Sequence, residues 1–292
     1  MFNFDAKFKE YIDVFNDYLS HNIEKFDSKF PTILSQSMKY AVVDGGKRVR
    51  PVLALATADA LGVNREEILP FAFAIELIHS YSLVHDDLPA MDNDDYRRGK
   101  LSTHKKFGEA YGILAGDGLL NYAFEVCLGK ESFNKNDLCA TRLIAEYAGA
   151  SGMIAGQVLD LQNEKNEDAS EKILYEVYEN KTAKLLTAPV LVASLLANGE
   201  NYDDLKEYAM NLGFTFQIVD DVMDETGDFS TIGKTPHKDK EVDKLTSIKV
   251  FGLSGAREKA TFHYRRCVDA LKNVKNNEFL LAFAEKMYLR NK

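Results

Sequence analysis

Two acidic runs mark where this chain could do chemistry. The first is Asp86, Asp87 and Asp92 within HSYSLVHDDLPAMDNDDYRR (His79–Arg98), and the second is Asp220, Asp221 and Asp224 within FQIVDDVMD (Phe216–Asp224). Each follows an apolar stretch with helical spacing. Carboxylates converging at a helix C-terminus repel one another and the negative end of the helix dipole. A bound divalent cation relieves that cost, and a few hard oxygen ligands with positions left for phosphate oxygens is the pattern of magnesium. A solvated acidic loop explains either run alone. Two such runs on separate helices are harder to dismiss, because helices lying side by side would face their carboxylates across a cavity and hold several ions around one diphosphate. A calcium EF-hand starting at Asp92 fails, since its sixth position is Arg97 instead of Gly and its twelfth is Thr103 instead of Glu.

The cations that would complete a diphosphate site occur in local groups. DGGKRVRP (Asp44–Pro51) places Lys47, Arg48 and Arg50 between a Gly-Gly break and a helix-starting Pro, a combination that suits an anion. Arg97 and Arg98 follow the first acidic run directly. His79 lies nearly two helical turns before Asp86 and so shares its stripe. Lys181 and Thr182 offer an ammonium and a hydroxyl within a long helical pattern. Gln217, Asp221 and Asp224 follow i, i+4, i+7 spacing, which gives them one face with Asp220 beside it. Lys234 follows in a Gly-containing loop that is not a P-loop, because Gly227 precedes Gly233 by six residues and no strand leads into it.

The elements that must position these groups are helices. Apolar residues recur with a 3.6 period at Ile68, Phe71, Ile75, Ile78 and Val84, and the stretches 136–162, 170–198 and 203–223 are long and helix-permissive. Shorter helical patterns cover 4–19, 52–61, 255–272 and 277–289, while strand alternation with hairpin turns is nearly absent. Breaks at Asp44–Gly46, Gly62–Asn64, Gly199–Asn201 and Gly227–Pro236 are too short to be linkers. The expectation is a single all-α domain over residues 1–292, a bundle of about ten to twelve helices around a central cavity. Pro189, inside one of the long patterns, predicts a kink.

Composition sets the outer limits. The 292 residues are 46% hydrophobic and 28% charged with net charge −9, which excludes global disorder and argues against a nucleic-acid partner. Cys127, Cys139 and Cys267 form no ligand or redox motif, so they read as buried thiols in a reducing cytosol, which predicts a cytoplasmic protein. No basic segment followed by an apolar one opens the sequence, and no uninterrupted apolar run approaches the roughly 18–20 residues that span a bilayer. Stable membrane insertion is therefore not expected.

Taken together and in this order, GGKRVRP, HDDLPAMD…RRG and FQIVDDVMD resemble the trans-isoprenyl diphosphate synthases, and among these the C15-forming bacterial members. The likeness runs from about Lys39 to about Phe251. It implies an isoprenoid-synthase bundle that joins isopentenyl diphosphate head-to-tail to dimethylallyl and then geranyl diphosphate. Asp86, Asp87 and Asp92, with Asp220, Asp221 and Asp224, match the family's metal ligands; magnesium is implied, three ions per site, with manganese as a substitute. Arg97, Lys181, Thr182, Gln217, Lys234 and Lys244 match contacts to the allylic diphosphate. Lys47, Arg50, His79 and Arg98 match the isopentenyl diphosphate pocket. Tyr81, five residues before Asp86, matches the position that limits chain length, together with the Pro89–Ala90 insertion. A homodimer is implied as well. Asn93 and Pro236–His237 depart from the family pattern. The alternatives are a C20-forming relative, a class I terpene cyclase, an HD phosphohydrolase and a helical scaffold without catalytic function. The cyclase motif (N/D)DxxSxxxE fails at Asp224 and Asp228, and the HD reading of His85–Asp86 lacks upstream histidines beyond His79 and His21. A scaffold leaves the paired acidic runs unexplained.

Overall fold

The computed structural model describes residues 2–43, 46–164, 166, 170–226 and 244–290. Its helices are α1 (Phe4–Glu24), α2 (Phe26–Lys29), α3 (Thr32–Val43), α4 (Val49–Leu61), α5 (Arg65–Asp86), α6 (Thr103–Phe107), α7 (Glu109–Leu128), α8 (Lys135–Ala148), α9 (Met153–Gln162), α10 (Glu171–Tyr178), α11 (Lys184–Leu196), α12 (Tyr202–Thr226), α13 (Ser247–Ala270) and α14 (Glu278–Leu289). A π-helical turn, Glu179–Ala183, joins α10 to α11 without interruption. The all-α expectation holds. Among the described residues eleven helices reach eight residues or more when the α10–α11 rod is counted once.

The bundle is organised around α5. Asn64 starts it, with its side-chain oxygen accepting the Glu66 N–H at 3.0 Å, a cap of about 1 kcal/mol in comparable helices. Ile68, Phe71, Phe73, Ile75, Leu77 and Ile78 are all fully buried, so the apolar stripe read from the sequence understates its enclosure. A helix apolar on every side belongs inside a core. By length and composition α5 could even cross a membrane, but 67% of its apolar window is buried within the bundle. Glu76 and His79 interrupt its apolar run in the sequence.

Two features add to the sequence reading. A small hairpin, β1 (Tyr96–Arg97) with β2 (Lys100–Leu101), follows the first acidic run and pairs Tyr96 with Leu101 and Arg97 with Lys100. Arg98 (φ 54°) and Gly99 (φ 77°) form its two-residue turn, and two positive φ values are the requirement of the tight turn that matches strand twist. Strands of two residues are too short to alternate visibly. Pro189 lies inside α11, which runs as one α-helix from Lys184 to Leu196. The break in α-helical geometry falls ahead of it, at the π turn.

Beneath the second acidic run lies a separate apolar cluster of Leu174, Val177, Tyr178, Ile218, Val219, Val222, Leu245, Ala256 and Ala260. It ties α10, α12 and the start of α13 together.

Candidate active site

Asp86 is the last residue of α5 and Asp87 caps it. Pro89 cannot supply the N–H that a continuing helix needs, and the chain folds back. The Asp92 N–H donates to the Asp86 carbonyl at 2.8 Å, the Asn93 N–H to that of Leu88 at 3.1 Å and the Asp94 N–H to that of Asp87 at 3.1 Å. Asp92 therefore returns to the helix end, as its spacing suggested. Asn93 has φ 50°, a left-handed conformation that Asn tolerates better than most residues. The hairpin then brings Arg97 back onto Asp87, its Nε 2.7 and 2.9 Å from the two carboxylate oxygens and a terminal nitrogen 2.5 Å from Oδ1. Such forked, charge-assisted contacts are the strong kind, and Asp87 is only 2% exposed. A cavity of about 150 Å³ opens beside Asp87, Arg97 and Arg98. Burial pushes the Asp86 carboxyl up to about 6; Lys181 opposes this, and Asp92 and Asp87 reinforce it. The end of α5 is thus a site that a cation would stabilise.

The second run sits within α12. Asp220 accepts from Arg290 at 3.1 Å, and Arg290 also donates to the Phe216 carbonyl at 2.8 Å and lies over the Phe216 ring. Asp224 follows one turn later and adds to the negative field around Arg290. Asp221, expected beside them at a metal, turns into the protein and is 5% exposed. Its Oδ2 accepts from the Tyr178 hydroxyl, the Ser247 N–H at 2.7 Å and the Ser247 hydroxyl at 2.7 Å. Burial raises its carboxyl to about 6 against these hydrogen bonds.

Lys181 and Thr182 occupy the π turn, a distortion frequent at functional sites. Two glycines let neighbouring helices close on it. A Cβ on Gly156 of α9 would come 2.1 Å from the Lys181 nitrogen, and one on Gly213 of α12 would come 2.5 Å from the Ala183 Cβ. Lys181 reaches Asp160 of α9 at 2.5 Å. The Thr182 hydroxyl donates to Gln217 Oε1 at 3.0 Å, and Gln217 Nε2 donates to Asp221 Oδ1 at 3.3 Å. The turn and the second acidic run are thereby joined.

The basic segment before α4 divides its labour. Lys47 is exposed, while Arg48, at φ 50°, turns inward. Arg48 pairs with Glu76 of α5 at 2.7 Å and donates to the Val42 and Val43 carbonyls at 2.9 and 3.1 Å. The sequence grouped Arg48 with the anion-binding cations; the structure makes it a buried partner of Glu76. Arg50 lies close enough to Arg98 for burial and that charge to lower it to about 10, and its buried Nε has no hydrogen-bond partner among the described residues. The Arg98 guanidinium stands over Gly46, where a Cβ would meet both terminal nitrogens at 3.2 Å. Burial, with Arg50 and Arg98 nearby, holds His79 well below its usual range and therefore neutral. Crowded positive charges around an unpartnered donor suit an anion.

Lys244 crosses from the second region to the first, 3.8 Å from Asp92. Lys234 lies outside the described residues. Tyr81, buried and edge-on to His85, faces the field of Asp86. His85 meets the Ile113 carbonyl of α7 at 3.0 Å, a packing role. Among the described residues no three His, Cys, Asp or Glu side chains gather closely enough to form a metal cage from protein atoms alone. That donor set still fits magnesium, which usually takes one or two carboxylates and completes its shell with phosphate oxygens and water.

The Polyprenyl synthetase family profile matches residues 31–282. The chain belongs to this family. It is 42% identical over 270 residues to the farnesyl diphosphate synthase of Geobacillus stearothermophilus, covering 91% of this chain and 90% of that one. The fold is similar to geranylgeranyl pyrophosphate synthetase from Pyrococcus horikoshii, with TM-score 0.89, 28% identity and 98% of each chain covered. It is also similar to the Helicobacter pylori geranyltransferase solved with magnesium and isoprenyl diphosphate, with TM-score 0.77, 30% identity and coverage of 94% and 96%. The protein is a trans-prenyltransferase, and the scaffold, HD and cyclase readings give way to that membership.

Sequence reasoning missed five residues that hold the candidate site's side chains in place: Glu76, Asp160, Tyr178, Ser247 and Arg290. Glu76 carried a signal, since a Glu inside FAFAIELIHSY must find a cation if the helix is buried. Asp160 carried a fainter one, a lone acid closing the apolar MIAGQVL. The other three have no local signature, because their partners are distant in sequence.

Proposed function

We propose that the protein condenses isopentenyl diphosphate head-to-tail with dimethylallyl and geranyl diphosphate, giving farnesyl diphosphate and diphosphate. The observation that carries this reading is the presence of two carboxylate clusters, the first of them met by Lys244, together with a separate basic pocket of Arg50, His79 and Arg98, which Lys47 would join. One diphosphate needs the first set and a second diphosphate needs the other.

Asp86, Asp87 and Asp92 on one side and Asp220 with Asp224 on the other would hold magnesium, three ions being expected, or manganese in its place. Bound there, the metal supplies positive charge to the departing diphosphate. Arg97, Lys181 and Lys244, with Lys234, add fixed charge where the leaving group gains it. Thr182 and Gln217 present oxygens beside Lys181, on the side where the allylic fragment turns positive. Arg50, Arg98 and Lys47 hold isopentenyl diphosphate with its double bond near the allylic carbon, and neutral His79 donates a hydrogen bond there. The proton lost after attack passes to the released diphosphate, so the reaction requires no dedicated side-chain base. Tyr81 closes the hydrocarbon channel about a turn and a half below Asp86.

Incubation with magnesium, isopentenyl diphosphate and dimethylallyl diphosphate, with the products sized, tests the reading: a C15 product is expected, and no elongation rejects it. A C20 product would favour the alternative that likeness to geranylgeranyl diphosphate synthases keeps open. Tyr81→Ala should move the product beyond C15, and an unchanged product length would remove Tyr81 from chain-length control. A homodimer is the proposed assembly, with the exposed Ile113 and Leu114 of α7 and Ile154, Val158 and Leu161 of α9 as the apolar surface to be covered.

A further inference from the structure

The Asp221 carboxylate is 5% exposed and already held by protein donors on both oxygens. Oδ2 accepts from Tyr178, the Ser247 N–H and the Ser247 hydroxyl, and Oδ1 accepts from Gln217. Each carboxylate oxygen offers roughly two acceptor positions, so Oδ2 is fully engaged by its three donors, while Oδ1 accepts from Gln217 and keeps one position in a side chain only 5% exposed. The donors come from α10, from α12 itself and from the first residue of α13. Ser247 is fully buried, and its N–H is one of those that open α13 and lack a partner within the helix. A carboxylate on α12 therefore caps α13 across a tertiary contact, and its negative charge suits the positive end of that helix. The Ser247 N–H also lies 2.8 Å from the Tyr178 hydroxyl, which closes the arrangement into a ring.

The anchored residue lies three positions past a cation that reaches the first cluster. Leu245 is buried in the apolar cluster under α12, and Lys244 before it reaches Asp92 at 3.8 Å. We propose that Asp221 is a positioning residue and not a metal ligand: it fixes the start of α13 so that Lys244 is held at the first aspartate cluster. The second acidic run thus supplies carboxylates at Asp220 and Asp224 and, through its middle member, places a cation on the opposite wall. This rests on the diphosphate-transfer reading above.

The test uses the full chain as wild type, Asp221→Asn, Lys244→Ala and the double variant. Steady-state kinetics with magnesium should show KM for the allylic diphosphate raised about tenfold in each single variant, as expected for loss of a charge-assisted contact, with kcat changed less. The double variant should be no worse than either single one, because both remove the same contact. In chelator-treated protein, Asp221→Asn should speed amide hydrogen exchange across residues 245–250, and Ser247→Ala and Tyr178→Phe should do so to a smaller degree. Multiplying KM effects in the double variant would overturn the proposal, as would unchanged exchange in that segment. Loss of a manganese equivalent from Asp221→Asn, measured with a diphosphate analogue bound, would restore Asp221 to the metal ligands. If Asp221→Asn does not fold, Ser247→Ala combined with Lys244→Ala decides the same question. Absence of elongation in the wild type would reject the parent reading instead, and the exchange result would still decide whether Asp221 anchors α13.

Discussion

The two aspartate runs resemble each other in sequence and differ in backbone. The first begins where α5 stops, so the turn at Pro89 and the left-handed Asn93 can bring Asp92 back beside Asp86. The second lies wholly within α12, where successive residues diverge by about 100°. Asp220 and Asp224, one turn apart, stay near Arg290, while Asp221 swings into the core and meets Tyr178 and Ser247. A helix end can gather neighbouring carboxylates; a continuous helix separates them and gives one to the interior. The partners differ in the same sense. Arg97 grips a buried Asp87, whereas Arg290 touches an Asp220 whose side chain is 44% exposed.

The sharpest way to break this comparison is at the carboxylates. Asp86→Ala should lower kcat by about a thousandfold, on the scale of removing a principal group that stabilises the leaving charge. Asp221→Ala should act mainly on KM. Equal losses of kcat in single-turnover measurements would erase the distinction between the runs.

The next effect concerns the arginines. Arg97→Ala leaves Asp87 buried without its partner and should cost about 3 kcal/mol of stability in denaturant titration. Arg290→Ala, which leaves a carboxylate that water can reach, should cost less, about 1 kcal/mol. A reversed order would mean that the second run is the more tightly built.

The smallest expected effect is in pH dependence. The Asp86 carboxyl rises to about 6 in the folded protein, against about 3.9 in an unfolded chain. Its ionised form is disfavoured by folding, so above pH 6 it destabilises the chelator-treated protein, and below about pH 4 it contributes nothing. Asp86→Asn should therefore raise the chelator-treated Tm at pH 7, with the gain fading as the pH falls from 6 to 4. Added magnesium should reverse the sign by stabilising only the wild type. A pH-independent gain would place the effect in packing and not in charge.

Much of the site was legible because the relevant signals are local. The return of Asp92 follows from a proline after a helix end, and the shared face of Gln217 and Asp221 follows from a four-residue spacing that their hydrogen bond bears out. The hairpin escaped notice because two-residue strands carry no alternation, yet it is the element that delivers Arg97 to Asp87. Arg48 was grouped with Arg50 because one-dimensional charge does not reveal direction; the backbone at Arg48 sends its side chain to Glu76. Pro189 drew attention to a kink, while the distortion that presents Lys181 and Thr182 lies at the π turn clamped by Gly156 and Gly213.

The sequence by itself determined the class of fold, the family resemblance and the inventory of charges, because helical period, breakers and motif order are properties of neighbours along the chain. Only the tertiary structure decided which charges are already spent on one another. Asp160 with Lys181, Glu76 with Arg48 and Asp221 with Ser247 are each settled by which helices pack together, and Asp87 with Arg97 by the fold-back of the hairpin. The physical reason is that a carboxylate's role depends on the donors within about 3 Å and on its exposure to water. Both are set by packing between segments far apart in sequence.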